Sequence, residues 1–202
     1  MAEQLGQGGR AEVAACRAEA AALGRYMHEH MWDARGATFR DRRLRGPASP
    51  SLSSTNSIAA YWALLAGVVA PERLLPFVRH LDDPATFNRP VRVPTLGAED
   101  PHYRADGGYW LGGVWPPTTY MVLRGLSLAG GECDDIAADI GANYHDAVVR
   151  CFQDTGTVWE NMAPEFAARG GRGAPAGPVP GAPSKKDFVG WGALGPIAVL
   201  FE

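Results

Sequence analysis

Three stretches of this 202-residue sequence set tryptophan beside glycine or a carboxylate. They are Gly107-Gly108-Tyr109-Trp110-Leu111-Gly112-Gly113-Val114-Trp115-Pro116-Pro117, Val158-Trp159-Glu160-Asn161-Met162-Ala163-Pro164-Glu165, and Lys185-Lys186-Asp187-Phe188-Val189-Gly190-Trp191. Four of the six tryptophans fall here, in segments without helical periodicity where core packing has least use for them. A flat aromatic face flanked by hydrogen-bonding groups suits the apolar face and hydroxyls of a sugar ring. The competing reading is that the indoles plug loops onto helices, and it is the clustering that favours a carbohydrate pocket.

Glu160, between Trp159 and Asn161 and just past the turn residues Asp154-Thr155-Gly156, combines a carboxylate with an aromatic wall. Glycoside hydrolysis needs two carboxyl groups, and when it proceeds with inversion they stand about 6.5 to 9.5 Å apart across the scissile bond. By its type alone Glu160 fits either member, or a solvated or capping role. Asp106, Asp187 and Glu165 are further loop carboxylates near aromatics, and His102 is the one histidine of its loop. None has the spacing of a nucleophilic triad or of a metal site, so neither metal nor organic cofactor is expected. His28 and His30, two apart near a helix end, point to different faces. The glycines of 107–113 neither follow a strand nor open a helix as a phosphate loop does.

The elements that must position these residues read as helices. Residues 11–31 are Ala-rich, with Val13, Ala14, Ala18, Ala21, Ala22 and Met27 near helical spacing. A second helix is expected over 56–69, with Ile58, Ala59, Trp62, Leu65 and Ala66 as its stripe, and a third from Pro71 to Leu81. The stretch 82–113 is irregular and rich in Pro, Gly and Asp, which suggests an active-site loop. Helices follow over 118–129 and over 134–152, the latter carrying Ile136, Ile140, Tyr144 and Val148. The stretch 154–186 is irregular again, with flexibility expected over 170–183, and a last helix is expected from Leu194 to Glu202. No strand is expected. An all-α chain of about six helices joined by long aromatic-rich loops suggests paired helices in a ring, with a simple bundle as the alternative.

The composition, 46% hydrophobic and 20% charged with a net charge of −3, suits one globular domain and offers no footprint for nucleic acid. Arg40 to Arg45, interrupted by Asp41, reads as a solvated turn. Cys16, Cys133 and Cys151 are an odd count that fits reduced thiols and a cytoplasmic location. Residues 1–10 carry no apolar signal core, and no run approaches eighteen apolar residues, so no membrane association is expected.

The motifs are themselves familiar. Residues 107–126 resemble the Gly-Gly-Tyr-Trp-Arg-Gly-x-Val-Trp-Pro-Pro-x-Asn-Tyr stretch of glycoside hydrolase family 63, with its mannosylglycerate-hydrolase-like and trehalase-like enzymes. Residues 159–165 resemble the family's Trp-Glu-Asn-Tyr-x-Pro segment, and residues 187–195 its closing Asp-Phe-x-Gly-Trp-Ser-x-Leu-Gly. Met31-Trp32-Asp33 with Phe39-Arg40-Asp41, and Val93-Pro94-Thr95-Leu96 with Asp100-Pro101-His102-Tyr103, are similar to further family segments. Leu111 stands where many relatives have arginine, Thr119 where asparagine is common, and Met162 where tyrosine follows the glutamate.

This resemblance implies that residues 1–202 are the C-terminal part of one (α/α)6-toroid catalytic domain. It implies an inverting hydrolysis of an α-glycosidic bond in an oligosaccharide or disaccharide, with Glu160 as general base. Tyr109, Trp110, Trp115, Tyr120, Trp159, Asp187 and Trp191 would contact substrate. The family's general acid, an upstream aspartate, would lie outside this stretch, and a further polypeptide segment would complete the ring. The alternative is a carbohydrate-binding remnant in which Glu160 does no chemistry.

Overall fold

The computed structural model describes residues 10–46, 50–165 and 177–199. They are mainly helical, and they form two compact units, Met1–Ser54 and Thr55–Glu202.

The first unit opens with α1 (Ala11–His30), which forms as its alanine content and lack of proline dictate. The apolar spacing suggests a buried stripe, but only Gly24 is buried, because alanine's small side chain satisfies helical periodicity without demanding cover. Two antiparallel ladders of two residues each follow and correct the strand-free expectation. β1 (Trp32–Asp33) pairs with β2 (Thr38–Phe39), and β3 (Arg42–Arg43) pairs with β4 (Ser51–Leu52). Asp33 builds the first hairpin, since its Oδ1 accepts from the Arg35 N–H at 3.1 Å and its Oδ2 accepts from Arg40 Nε at 2.9 Å. The edge-to-face contact of Trp32 with Phe39, 5.0 Å between centroids, closes it. The run 40–45 is thus not a solvated turn throughout, because Arg40 is spent on Asp33 and Arg42 and Arg43 lie in a ladder.

In the second unit the helix expected over 56–69 is shorter and split into a 3-10 turn (Ile58–Tyr61) and α2 (Trp62–Leu65). α3 (Pro71–Val78) starts at proline as expected and ends in a second 3-10 turn over Arg79–Leu81. α4 (Pro116–Ala129) begins two residues earlier than expected, with the Pro-Pro pair serving as its first turn. It lies at the centre of the unit, packed against α2, α5 (Cys133–Thr155) and α6 (Trp191–Val199). On α5 the buried positions are Cys133, Ile140, Tyr144, Ala147 and Cys151, so Ile140 and Tyr144 of the expected series are covered while Ile136 and Val148 are half-buried. α6 starts three residues before the expected Leu194 and includes Pro196; residues 200–202 of the expected helix lie outside the described residues.

The irregular stretch 82–113 is not a superficial loop. Phe87, Val91 and Val93 have no exposed surface, and Phe87 meets Tyr61 edge-on at 5.7 Å while Tyr61 stacks on Phe77 at 4.4 Å. Its polar backbone groups are satisfied without regular structure, as burial requires. Arg92 N donates to Asn143 Oδ1, Asn143 Nδ2 donates to the Pro90 carbonyl, and the Val91 N–H donates to the Pro164 carbonyl. Of the stretch expected to be flexible, 170–176 lies outside the described residues, while 177–183 is pinned by bridges described below. No helix among the described residues is long and apolar enough to cross a membrane. Cys16 is exposed, Cys133 and Cys151 are buried, and none of the three is in a disulfide.

Candidate active site

The three tryptophan-bearing segments, far apart in sequence, are stitched together by isolated backbone bridges. Val114 and Met162 exchange N–H···O bonds of 2.8 and 3.0 Å, Trp159 pairs with Lys186, Met162 with Pro180, and Gly107 with Ala182. Two glycines permit this approach. A Cβ on Gly181 would collide with Asn161 Oδ1, and one on Gly113 would collide with the Tyr109 carbonyl and sit 2.9 Å from Trp115 Nε1. Asn161 is the knot of this junction. Its N–H donates to Ser184 Oγ at 3.1 Å, its Nδ2 donates to the Pro183 carbonyl at 3.2 Å, and its carbonyl accepts from Ser184 Oγ at 2.9 Å.

Glu160 is held at this junction by its backbone alone. Its N–H donates to the Lys185 carbonyl at 3.0 Å, and its carbonyl accepts from Trp191 Nε1 at 3.0 Å. The residue is only 6% exposed, yet no described residue donates to its carboxylate. A carboxylate withdrawn from bulk water and committed to no internal partner is available to a ligand or an attacking water.

Beside it lies a continuous set of rings. Trp110 stacks on Trp115 at 4.2 Å with 7° between planes, Tyr109 meets Trp115 edge-on at 4.8 Å, Trp115 lies 6.2 Å from Trp191, and Trp191 lies 4.9 Å from Phe188. The members differ in access. Trp115 is 1% exposed and donates its indole N–H to the Tyr109 carbonyl, so it is a floor, whereas Tyr109, Trp110 and Trp191 are each about two-fifths to one-half exposed. Tyr109 adopts φ 63°, a left-handed backbone that side chains rarely take and that active sites often hold.

The remaining expected contacts are placed elsewhere. Trp159 turns its indole N–H to Thr155 Oγ1 at 2.9 Å, at the end of α5. Asp187, also at positive φ, accepts from Thr157 Oγ1 at 2.5 Å, which commits one of its oxygens. Tyr120 is half-buried on the first turns of α4. Structural partners that the sequence does not signal are Ser184 and Thr157, residues of a type found anywhere, and the pairing of Glu165 with Arg89 Nε at 2.7 Å and Tyr103 Oη at 2.9 Å. Burial pushes the Tyr103 hydroxyl well up from its ordinary value, and the Glu165 carboxylate adds to that. Asp106 accepts from Arg104 Nε and Nη2 and from the Gly108 N–H, and the Arg104 guanidinium holds its carboxyl below the usual range. Among the described residues no group of three or more His, Cys, Asp or Glu could hold a metal ion.

The model of the mannosylglycerate hydrolase MGH1-like glycoside hydrolase domain matches residues 1–176. Among solved structures the chain is similar to the neutral trehalase Nth1 of Saccharomyces cerevisiae, at TM-score 0.67 and 15% identity over 88% of this chain and 28% of that one. It is also similar to the GH63 mannosylglycerate hydrolase of Thermus thermophilus, at TM-score 0.58 and 18% identity over 86% of this chain and 35% of that one. A sialidase structure aligns at TM-score 0.64 and 17% identity over 81% of this chain and 15% of that one. The chain therefore spans about a third or less of these proteins, and its helices correspond to part of an (α/α)6 toroid. No curated protein matches it by sequence.

Proposed function

The chain belongs to the mannosylglycerate hydrolase MGH1-like glycoside hydrolase family, and from that premise we propose that Glu160 is the general base of an inverting hydrolysis of an α-glycosidic bond. The Glu160 carboxylate takes a proton from water as that water attacks the anomeric carbon from the face opposite the leaving oxygen, and the C–O bond to the leaving group breaks. Tyr109, Trp110 and Trp191 wall the sugar, and Trp115 supports them from below. The general acid that protonates the leaving oxygen is a carboxyl group outside this stretch, on a further polypeptide segment, and residues 1–202 act as one portion of a single catalytic domain. Three cysteines with no disulfide among them fit a reducing compartment such as the cytoplasm. The observation that carries the reading is a residue 6% exposed, anchored through its backbone on both sides, whose carboxylate has no described donor, beside a half-exposed ring wall.

A glycosyl fluoride isolates the base, because fluoride leaves without protonation. The chain is expected to release fluoride from α-glucosyl or α-mannosyl fluoride, with the β-anomer formed first by NMR, and to leave trehalose intact. Glu160→Gln is expected to lower the rate by about 10² to 10⁴. Equal release by the variant, or an α-anomer as first product, defeats the base assignment and leaves the sugar-binding remnant.

A further inference from the structure

A cleft of about 260 Å³ opens on the second unit, lined by Ser57, Thr95, Asp100, His102, Trp110 and Leu111 among others. Its polar groups are incompletely used. Ser57 Oγ accepts from the Ala59 N–H and Thr95 Oγ1 accepts from the Gly112 N–H, so each hydroxyl proton is left with no described acceptor. The Trp110 indole N–H also has no described acceptor, and the ring is half exposed with one face stacked on Trp115. The Asp100 side chain is only 6% exposed; its Oδ1 takes the His102 N–H at 2.9 Å and lies 3.2 Å from His102 Nδ1, while Oδ2 has no described donor. Three spare donors, one spare anionic acceptor and an indole face form a complement for a polyhydroxylated ligand.

The charge balance narrows the ligand further. Among the described residues no lysine or arginine lines the cleft, and Leu111 occupies its wall at the position where the sequence resemblance expects arginine. A carboxylate or phosphate placed here would face Asp100, whose described side-chain partner is the exposed His102 ring. We infer that this cleft is a saccharide subsite that takes a neutral sugar unit and refuses an acidic one. The inference deepens the glycosidase reading, on which its sugar class rests, and because the cleft shares Trp110 with the ring wall it assigns the preference to a sugar unit next to the one at Glu160.

The test pairs D-glucose with D-glucuronate, the same ring with a carboxylate, and titrates each into the dilute chain by tryptophan emission and saturation-transfer NMR. Glucose is expected to saturate the signal, and glucuronate to bind about tenfold or more weaker, the scale of one hydrogen bond to a charged group plus the like-charge contact. Asp100→Asn is expected to weaken glucose severalfold and to erase most of that discrimination. Ser57→Ala should weaken glucose alone, and Leu111→Arg should bring glucuronate in. Circular dichroism melts check that each variant folds, and Leu111→Arg, a gain of binding, cannot be mimicked by unfolding. Equal binding of the two sugars, absence of glucose binding, or variants that leave the ratio unchanged overturn the inference. If Glu160→Gln abolishes glucose binding while Asp100→Asn does not, the cleft is excluded and the Glu160 reading stands. Fluoride release unaffected by Glu160→Gln, with the glucose preference intact, instead removes the base assignment and keeps the cleft.

Discussion

At the scale of single residues, identical side chains take opposite roles for reasons that residue type does not carry. Trp110 and Trp115 are five apart, yet one is half exposed and the other is sealed beneath it. Clustering of tryptophan, glycine and proline makes the gathering of the three segments legible, because such residues have little other use together in aperiodic chain. The depth of each ring depends on which strand-like bridge it neighbours, and that is long-range information. Ser184 and Thr157 are illegible for the same reason: a hydroxyl becomes a fixture only when the chain returns to meet it. Gly181→Ala tests how tightly this junction is built. Its Cβ would collide with Asn161 Oδ1, so the Asn161 amide must move and its hydrogen bond to the Pro183 carbonyl is lost. Overpacking of this kind costs about 1–3 kcal/mol, and thermal melts should show the loss; an unchanged Tm would mean that the segment 177–183 yields freely.

At the scale of elements, helices with proline at the start or apolar residues four apart are legible in kind but not in length, since ends are decided by partners. The stretch 82–113 reads as an active-site loop, and its aperiodic backbone gives no signal of burial. Phe87, Val91 and Val93 are nevertheless core, with Arg92, Asn143 and the Pro164 carbonyl satisfying the backbone that a helix would have satisfied itself. The two-residue ladders are invisible because alternation needs more than two residues to show. Within the ring-bearing loop, Asp106 acts as a pH-sensitive clamp through Arg104 and the Gly108 N–H. Its carboxyl is held below the ordinary 3.8, chiefly by Arg104. A depressed carboxyl stabilises the loop at every pH above the unfolded-chain value and loses that contribution as pH falls through its own lower value. Emission from the Tyr109–Trp110 segment should therefore stay constant down to about pH 4 and shift below it. Asp106→Asn should lack that step and show the looser loop at neutral pH; a step that persists in the variant assigns it to another group.

At the scale of the whole molecule, the notable surface is apolar. Leu23 on α1, Phe152 on α5, and Leu194 and Ile197 on α6 are each about half exposed or more. Exposed apolar side chains on several helices favour association, so the isolated chain is expected to elute above its 21.5 kDa mass at micromolar concentration and to bind a hydrophobic dye. A monomer that melts cooperatively at all concentrations would refute this. The division of labour at Glu160 reaches further than any one assay. The atoms that secure this residue to Lys185 and Trp191 belong to the peptide unit common to all amino acids, and the atoms that would do chemistry hold nothing in place. Selection for folding therefore does not guard the carboxylate. On the proposal above, a lineage carrying this segment would be one codon change away from a protein that keeps its shape while the proposed hydrolysis disappears, so drift from catalyst to lectin would cross no valley of instability.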